Sequence, residues 1–143
     1  MKWTFLFDLP RNFVIVAFEG PYSVTMADSM RDELVSHPKW QPGLRILVDH
    51  RKTDFIGVTT EQLRIVGERH SAYNSYFDGT RMAFLMKAGR DFGLARQFAL
   101  MNERYMCAKM MTFQDEEEAF DWLLELEMAR TLPSSSWTKR KPL

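Results

Sequence analysis

The residues best suited to chemistry follow an apolar stretch in the middle of the chain. Residues 44–48 read Leu-Arg-Ile-Leu-Val, and the polar segment 49–54, Asp-His-Arg-Lys-Thr-Asp, follows at once. The adjacent Asp49 and His50 suggest a general base. Neighbouring residues in a loop need not point together, however, and no motif places a Ser or Cys nucleophile there. We therefore predict a binding site in this segment and no enzyme activity.

Basic residues near two predicted helix starts suggest a site for an anion. Arg51, Lys87 and Arg90 lie beside the predicted starts at Thr59 and Asp91, and free backbone N–H groups at a helix start favour anions. The alternative is a solvated surface in which these cations pair with nearby aspartates. The sequence leaves both interpretations open.

Ligands of open α/β sheets bind beyond the carboxyl ends of the strands. We expect Glu19, Tyr22 and Gln114 to lie at that edge as well. The candidate ligand- or partner-binding residues are Asp49, His50, Arg51, Asp54, Thr59, Thr60, Lys87 and Arg90.

The remaining residues that could do chemistry favour structural roles. His37, His50 and His70 lack the spacing of metal ligands, and no glycine-rich phosphate loop is present, so we predict no metal and no cofactor. His70 lies within an apolar helical stripe and is predicted to be buried and structural. Cys107 is predicted to be a small buried residue and no nucleophile.

Composition narrows the class of protein. Lys+Arg and Asp+Glu number 19 each, which argues against a nucleic-acid partner. One cysteine allows no internal disulfide and indicates a reducing compartment. No stretch is long enough for a membrane span. These features predict a cytoplasmic protein.

Hydrophobic periodicity predicts the elements that position the candidate residues. Strands are expected over residues 3–7, 13–18, 44–48, 81–86 and 110–113. Four helices are expected, starting near residues 23–25, 59, 91 and 115, and the second runs to residue 77. Alternating strands and helices predict a mostly parallel sheet with an antiparallel N-terminal edge strand. We expect one domain, residues 1–130, and a flexible tail, residues 131–143.

This order resembles the STAS domain, and more narrowly the SpoIIAA-like group of small bacterial proteins. The resemblance is carried by the strand Val14-Ile15-Val16, by Leu47-Val48-Asp49 before a charged segment, and by residues 111–123, Met-Thr-Phe-Gln-Asp-Glu-Glu-Glu-Ala-Phe-Asp-Trp-Leu. It implies a STAS fold over about residues 3–128. It also implies a partner-binding switch, and some relatives bind lipids or other apolar ligands.

One feature of the resembling proteins is absent. Anti-sigma-factor antagonists carry an acceptor serine after an acidic residue at the start of the helix that follows this strand. Here that place reads Ile56-Gly57-Val58-Thr59-Thr60. Thr59 and Gln62 instead fit a capping box, so neither Thr59 nor Thr60 is predicted to be a regulatory phosphosite.

The sequence as a whole predicts a non-enzymatic interaction or regulatory module with an unknown protein partner. The alternative function is binding of a small lipid-like or anionic molecule. A homodimer is left open.

Overall fold

The computed structural model describes residues 1–131, with the side chains of residues 1–125. Its elements in chain order are β1 Lys2–Asp8, β2 Phe13–Pro21, α1 Val24–Ser36, β3 Arg45–Asp54, α2 Thr60–Ser71, α3 Asn74–Phe77, β4 Arg81–Leu85, α4 Arg90–Asn102, β5 Lys109–Phe113 and α5 Glu116–Thr131. The predicted succession of strands and helices is confirmed. Apart from residue 131, the last of α5, the predicted tail lies outside the described residues.

The sheet has the strand order β1-β2-β3-β4-β5. β1 pairs antiparallel with β2, and the other neighbours pair in parallel, as predicted. Asn12 closes the β1–β2 hairpin with a φ of 58°, and its N–H donates to the carbonyl of Leu9 at 3.0 Å. Asparagine is one of the few residues that accepts this left-handed conformation readily. Because β2 to β5 run parallel, their carboxyl ends lie at one edge of the sheet.

The core divides into two layers because successive residues of a strand point to opposite faces. Val16, Val48 and Phe84 belong to the larger layer, which lies under α1, α2 and α4. Leu47, Leu85 and Leu123 belong to the smaller layer, which lies under α5. Right-handed crossovers between strands in sequential order place the connecting helices on the same face. In the described part of the chain, α1, α2, α4 and the short α3 thus cover one face of the sheet.

The segment 49–54 is part of β3 and is not the loop that we predicted. Its residues are polar and lack the regular alternation that predicts a strand. β2 and β3 shift register where Ala17 pairs with Asp49 and Glu19 pairs with Lys52. This β-bulge places an extra residue in β3 and bends the strand locally. The bulge lets His50 and Thr53, three residues apart, both face the larger core.

The second predicted helix, residues 59–77, is divided into α2 and the short α3. The break turns Phe77 back onto His70, whose ring centroid lies 5.0 Å away at an interplanar angle of 16°. Seven residues of continuous helix would rise about 10 Å, so this stacking requires the interruption. Four of the five residues in the predicted apolar stripe are nevertheless buried, and Tyr73 is half-buried; the four are Leu63, Val66, His70 and Phe77.

Candidate functional site

The strand-end rim, residues 49–60 and 87–91, is where the sequence placed the site. Arg51 donates from Nε to Asp49 Oδ1 at 3.0 Å and from a terminal nitrogen to Oδ2 at 2.9 Å. Burial raises the pKa of Asp49, but the hydrogen bonds from Arg51 outweigh it and hold that pKa below its ordinary value. Arg51 also lies 3.9 Å from Glu116. The guanidinium is therefore held by carboxylates of the protein.

The other two cations of the rim also have partners within the chain. Arg90 donates to the carbonyls of Phe55 at 3.1 Å and Val58 at 3.4 Å. Lys87 Nζ lies 3.5 Å from Asp91. The hydrogen bonds from Arg90 connect the segment before α2 to the start of α4. Arg51 and Lys87 thus form local ion pairs with aspartates, whereas Arg90 is held by backbone carbonyls.

The two threonines and Asp54 at the rim shape the backbone. Thr59 forms the predicted capping box, because its hydroxyl accepts from the N–H of Gln62 at 3.1 Å while its own N–H donates to Gln62 Oε1 at 2.9 Å. Thr60 accepts from the side chain of Gln97 at 3.3 Å. Asp54 accepts from the N–H of Ile56 at 2.8 Å. These contacts hold the turn between β3 and α2.

Asp49 and His50 do not act on each other as a general acid–base pair, because they lie on opposite faces of β3. His50 is buried on the helix-covered face, stacked on Phe18 at 4.6 Å, and its Nδ1 lies 2.8 Å from the hydroxyl of Thr53. Burial lowers the pKa of His50 to about 3, against a smaller opposite effect of Asp49. The ring is therefore neutral at physiological pH.

An apolar cavity of about 90 Å³ lies behind the rim, between the sheet and α1, α2 and α4. Its walls are mostly Val, Leu, Ile, Phe and Met side chains, and four polar residues join them: Tyr22, Arg31, His50 and His70. A water occupies roughly 10–15 Å³ on this kind of measure, so the space holds roughly six to nine water-sized atoms. Burial raises the pKa of Tyr22 to about 12.

Arg31 is the polar residue of the cavity that the sequence analysis missed. It is 3% exposed, and its terminal nitrogen pairs with Asp28, which also pairs with Arg69 of α2. Its Nε has no hydrogen-bond partner. The signal was readable, since Ala27, Arg31 and Leu34 recur at steps of four and three and form the buried face of α1.

His70 is the second polar residue of the cavity with an unpartnered atom. It is 7% exposed, as predicted, and its Nε2 has no hydrogen-bond partner. Burial first, and then the charge of Arg31, lower its pKa to about 3. The guanidinium carbon of Arg31 lies 5.4 Å from the ring of Tyr73, which adjoins Phe77, the ring on which His70 stacks. Arg31 and His70 thus share one end of the cavity.

The prediction for Cys107 is wrong, because this residue is exposed. It lies between α4 and β5, where its N–H donates to the side chain of Asn74 at 3.2 Å. Met106 and Ala108 on either side of it are buried, so the chain turns these two side chains into the core and the Cys107 side chain outward. Within residues 1–131, no three His, Cys, Asp or Glu side chains come close enough together to hold a metal ion.

Comparisons with known proteins support the fold. No family profile matches the sequence, and no curated protein matches it significantly. The chain is similar to the crystal structure of an uncharacterised protein of the DUF3478 family with a SpoIIAA-like fold, from Shewanella loihica PV-4. The TM-score is 0.58 at 15% identity, over 85% of this chain and 92% of that one. This likeness confirms the predicted SpoIIAA-like fold. None of the helices described here has the length and apolar character needed to cross a bilayer.

Proposed function

We propose that this chain is a non-enzymatic binding module whose ligand is a small, mostly apolar molecule held in the cavity under α1, α2 and α4. The observation that carries the proposal is the cavity itself, about 90 Å³ inside an otherwise packed core. Protein interiors are close-packed, and a void of this size costs about 2 kcal/mol at about 24 cal/mol per Å³. A ligand that fills the void recovers the missing contacts.

The polar groups of the cavity favour binding over catalysis. A general base works best when its pKa lies near the working pH. His50 and His70 have pKa values of about 3, so both are weak bases at neutral pH. Among the described residues, the cavity is lined by no Ser, Thr or Cys. The side chains there can fix the orientation of a ligand more readily than they can attack it.

Toluene is a suitable first probe, and methionine methyl groups are suitable reporters. Met30, Met82 and Met86 line the cavity, whereas Met26 and Met111 are exposed. In methyl NMR spectra of the full chain, toluene should shift the first three signals and leave the other two unchanged. Shifts confined to Met26 and Met111 would mean that toluene binds only the surface and would contradict the proposal.

A pair of alanines on α4 provides matched variants for this experiment. Ala95 lines the cavity, whereas Ala99 lies one turn further along the same helix and faces a groove beside β5. Ala95→Leu should fill the space and abolish the toluene shifts, while Ala99→Leu should retain them. Equal toluene binding by both variants would place the probe elsewhere.

A second candidate function is the protein-interaction module that the sequence predicts. The observation that favours it is the groove of about 460 Å³ beside β5, which is an edge strand. Leu100 and Tyr105 near this edge are 69% and 64% exposed, and Met111 of β5 is 46% exposed. An open strand edge with apolar neighbours can accept an extended segment of a partner.

The interaction candidate predicts partner capture that depends on β5. A partner that binds wild-type protein should be lost with Met111→Lys, because the charge would enter the contact. It should be retained with Leu6→Lys, which changes a similarly exposed side chain on β1 at the opposite edge of the sheet. Retention by both variants would exclude this groove as the partner site.

A further inference from the structure

The cavity has one polar end, formed by Arg31 of α1 and His70 of α2. Both side chains are more than nine-tenths buried, both line the cavity, and Arg31 Nε and His70 Nε2 have no hydrogen-bond partner. A buried polar atom without a partner destabilises the fold, and nearly all buried polar atoms in folded proteins have a hydrogen-bond partner. Two unsatisfied nitrogens at one end of one cavity indicate a missing acceptor group.

The buried guanidinium of Arg31 favours an anionic acceptor. Arg31 and Arg69 both pair with Asp28, so two guanidinium groups share one carboxylate. Asp32, on the next turn of α1, is exposed and accepts the hydroxyl of Tyr73. Arginine keeps its charge in proteins, and its Nε–H is a permanent donor. The salt bridge to Asp28 uses a terminal nitrogen of Arg31 and leaves its Nε without a partner, so a bound carboxylate would find a buried, charged donor there.

We propose that the cavity binds a small carboxylic acid with a single-ring or branched aliphatic body, whose carboxylate is held by Arg31 Nε and His70 Nε2. This inference rests on the proposed binding function and names the chemical class of its ligand. The neutral imidazole donates from Nε2 in one tautomer, and the two oxygens of a carboxylate match two donors. The body of the acid lies against the apolar wall, where Val48, Phe84 and Phe98 are found.

Three matched probes test this assignment on the full chain: benzoate, benzyl alcohol and toluene. They share one ring and differ in the head group. Titrations followed by the Met82 and Met86 methyl signals should give benzoate at least tenfold tighter binding than benzyl alcohol. In Arg31→Met the benzoate preference should disappear while toluene still binds. Arg64→Met, which removes an exposed arginine paired with Glu61 and Glu68 on α2, should leave all three affinities unchanged.

Variants of His70 keep the test decisive if Arg31→Met does not fold. His70→Gln retains an N–H donor and should keep most of the benzoate preference, whereas His70→Phe retains the stacking ring and should lose at least threefold in benzoate affinity. A merely structural His70 would instead change the affinities for all three probes together.

The outcomes separate this inference from the proposed function. If toluene and benzyl alcohol shift the cavity methyl signals but benzoate binds no more tightly, the carboxylate assignment is wrong and the binding function stands. If none of the probes shifts those signals, the proposed function fails and the assignment fails with it. Benzoate preference retained in both Arg31→Met and His70→Phe would also overturn the assignment.

Discussion

The strand-end rim and the cavity both carry charged and polar side chains, but of these two regions only the cavity holds buried side-chain nitrogens without a hydrogen-bond partner. At the rim, Arg51, Lys87 and Arg90 are exposed and each has a partner within the protein. In the cavity, Arg31 and His70 are buried, and a nitrogen of each has no partner. Water can solvate an exposed cation, whereas a buried donor must find an acceptor in the protein or in a ligand. Binding capacity is therefore better sought in the buried region.

The largest effect expected from this contrast is a fall in stability at mildly acidic pH. His50 and His70 have folded pKa values of about 3 against an ordinary 6.5. Between these values the unfolded chain binds more protons, so stability present above pH 6.5 is lost as the pH falls. At about 1.4 kcal/mol per pH unit and histidine, urea melts should lose about 4 kcal/mol between pH 7 and pH 5.

Variants distinguish the cavity from the rim in this pH window. His50→Phe and His70→Phe should each remove about half of the slope, because each deletes one buried imidazole. Asp49→Asn should leave the slope above pH 5 unchanged, since the pKa of Asp49 lies below the ordinary value of an aspartate and its contribution is lost only at lower pH. A slope that survives in the double histidine variant would contradict the prediction.

The next prediction, for a variant of Gly67, tests whether the helices around the cavity are loosely packed. Gly67 of α2 lies directly against Asn102 of α4, and a Cβ built on Gly67 would lie 1.8 Å from Asn102 Oδ1. Gly67→Ala should therefore destabilise the fold by about 3 kcal/mol. α2 and α4 are therefore in tight contact at Gly67, next to Val66, which lines the cavity, so the cavity is a local feature of a packed core.

Two variants control the Gly67 experiment, which is read from denaturant melts. Gly93→Ala, on α4 with nothing within 4 Å of a built Cβ, should be neutral or stabilising by up to about 1 kcal/mol. Adding Asn102→Ala to Gly67→Ala should recover part of the loss, because it removes the clashing amide. A Gly67→Ala protein as stable as wild type would show that the two helices can separate freely.

The sequence predicted the fold well because the fold depends on patterns that a single chain displays. The apolar runs 13–18 and 81–86, the helical stripes between them and the capping box at Thr59 are local features, and each appears where it was expected. Right-handed crossovers then leave few ways to arrange four parallel strands. The end of β3 escaped prediction because a bulge brings His50 and Thr53 to one face, so polar residues with no regular period form a strand.

The cavity could not be predicted, because its volume depends on how three helices are spaced above the sheet. No residue pattern reports that spacing. Arg31 was overlooked for a related reason: a charged residue on an amphipathic helix is normally exposed. Its position four residues after Ala27 and three before Leu34 is the sequence feature that predicts its place on the buried face of α1.

A smaller effect is expected where the rim is built by backbone capping. Thr59→Ala removes the acceptor for the N–H of Gln62 and should cost about 1 kcal/mol of unfolding free energy. Thr60→Ala removes an exposed contact with Gln97 at 3.3 Å and should cost less than about 0.5 kcal/mol. Denaturant melts of the two variants measure the difference. A larger loss in Thr60→Ala would reverse the assignment of the cap.

The smallest loss of stability is expected for variants of the rim cations. These variants also test directly whether the rim, rather than the cavity, binds a ligand. The side chains of Arg51 and Asp49 are 42% and 20% exposed, so water reaches their pair, and solvent-exposed pairs contribute about 0–1 kcal/mol. Arg51→Ala should therefore cost about 0.5 kcal/mol or less. Phosphate should raise the melting temperature equally in wild type and Arg51→Ala at constant ionic strength, because the guanidinium is already held by carboxylates. If phosphate raised the melting temperature only when Arg51 is present, the rim would be an anion site. The ion pairs of the exposed cations would then be no argument against ligand binding at the rim.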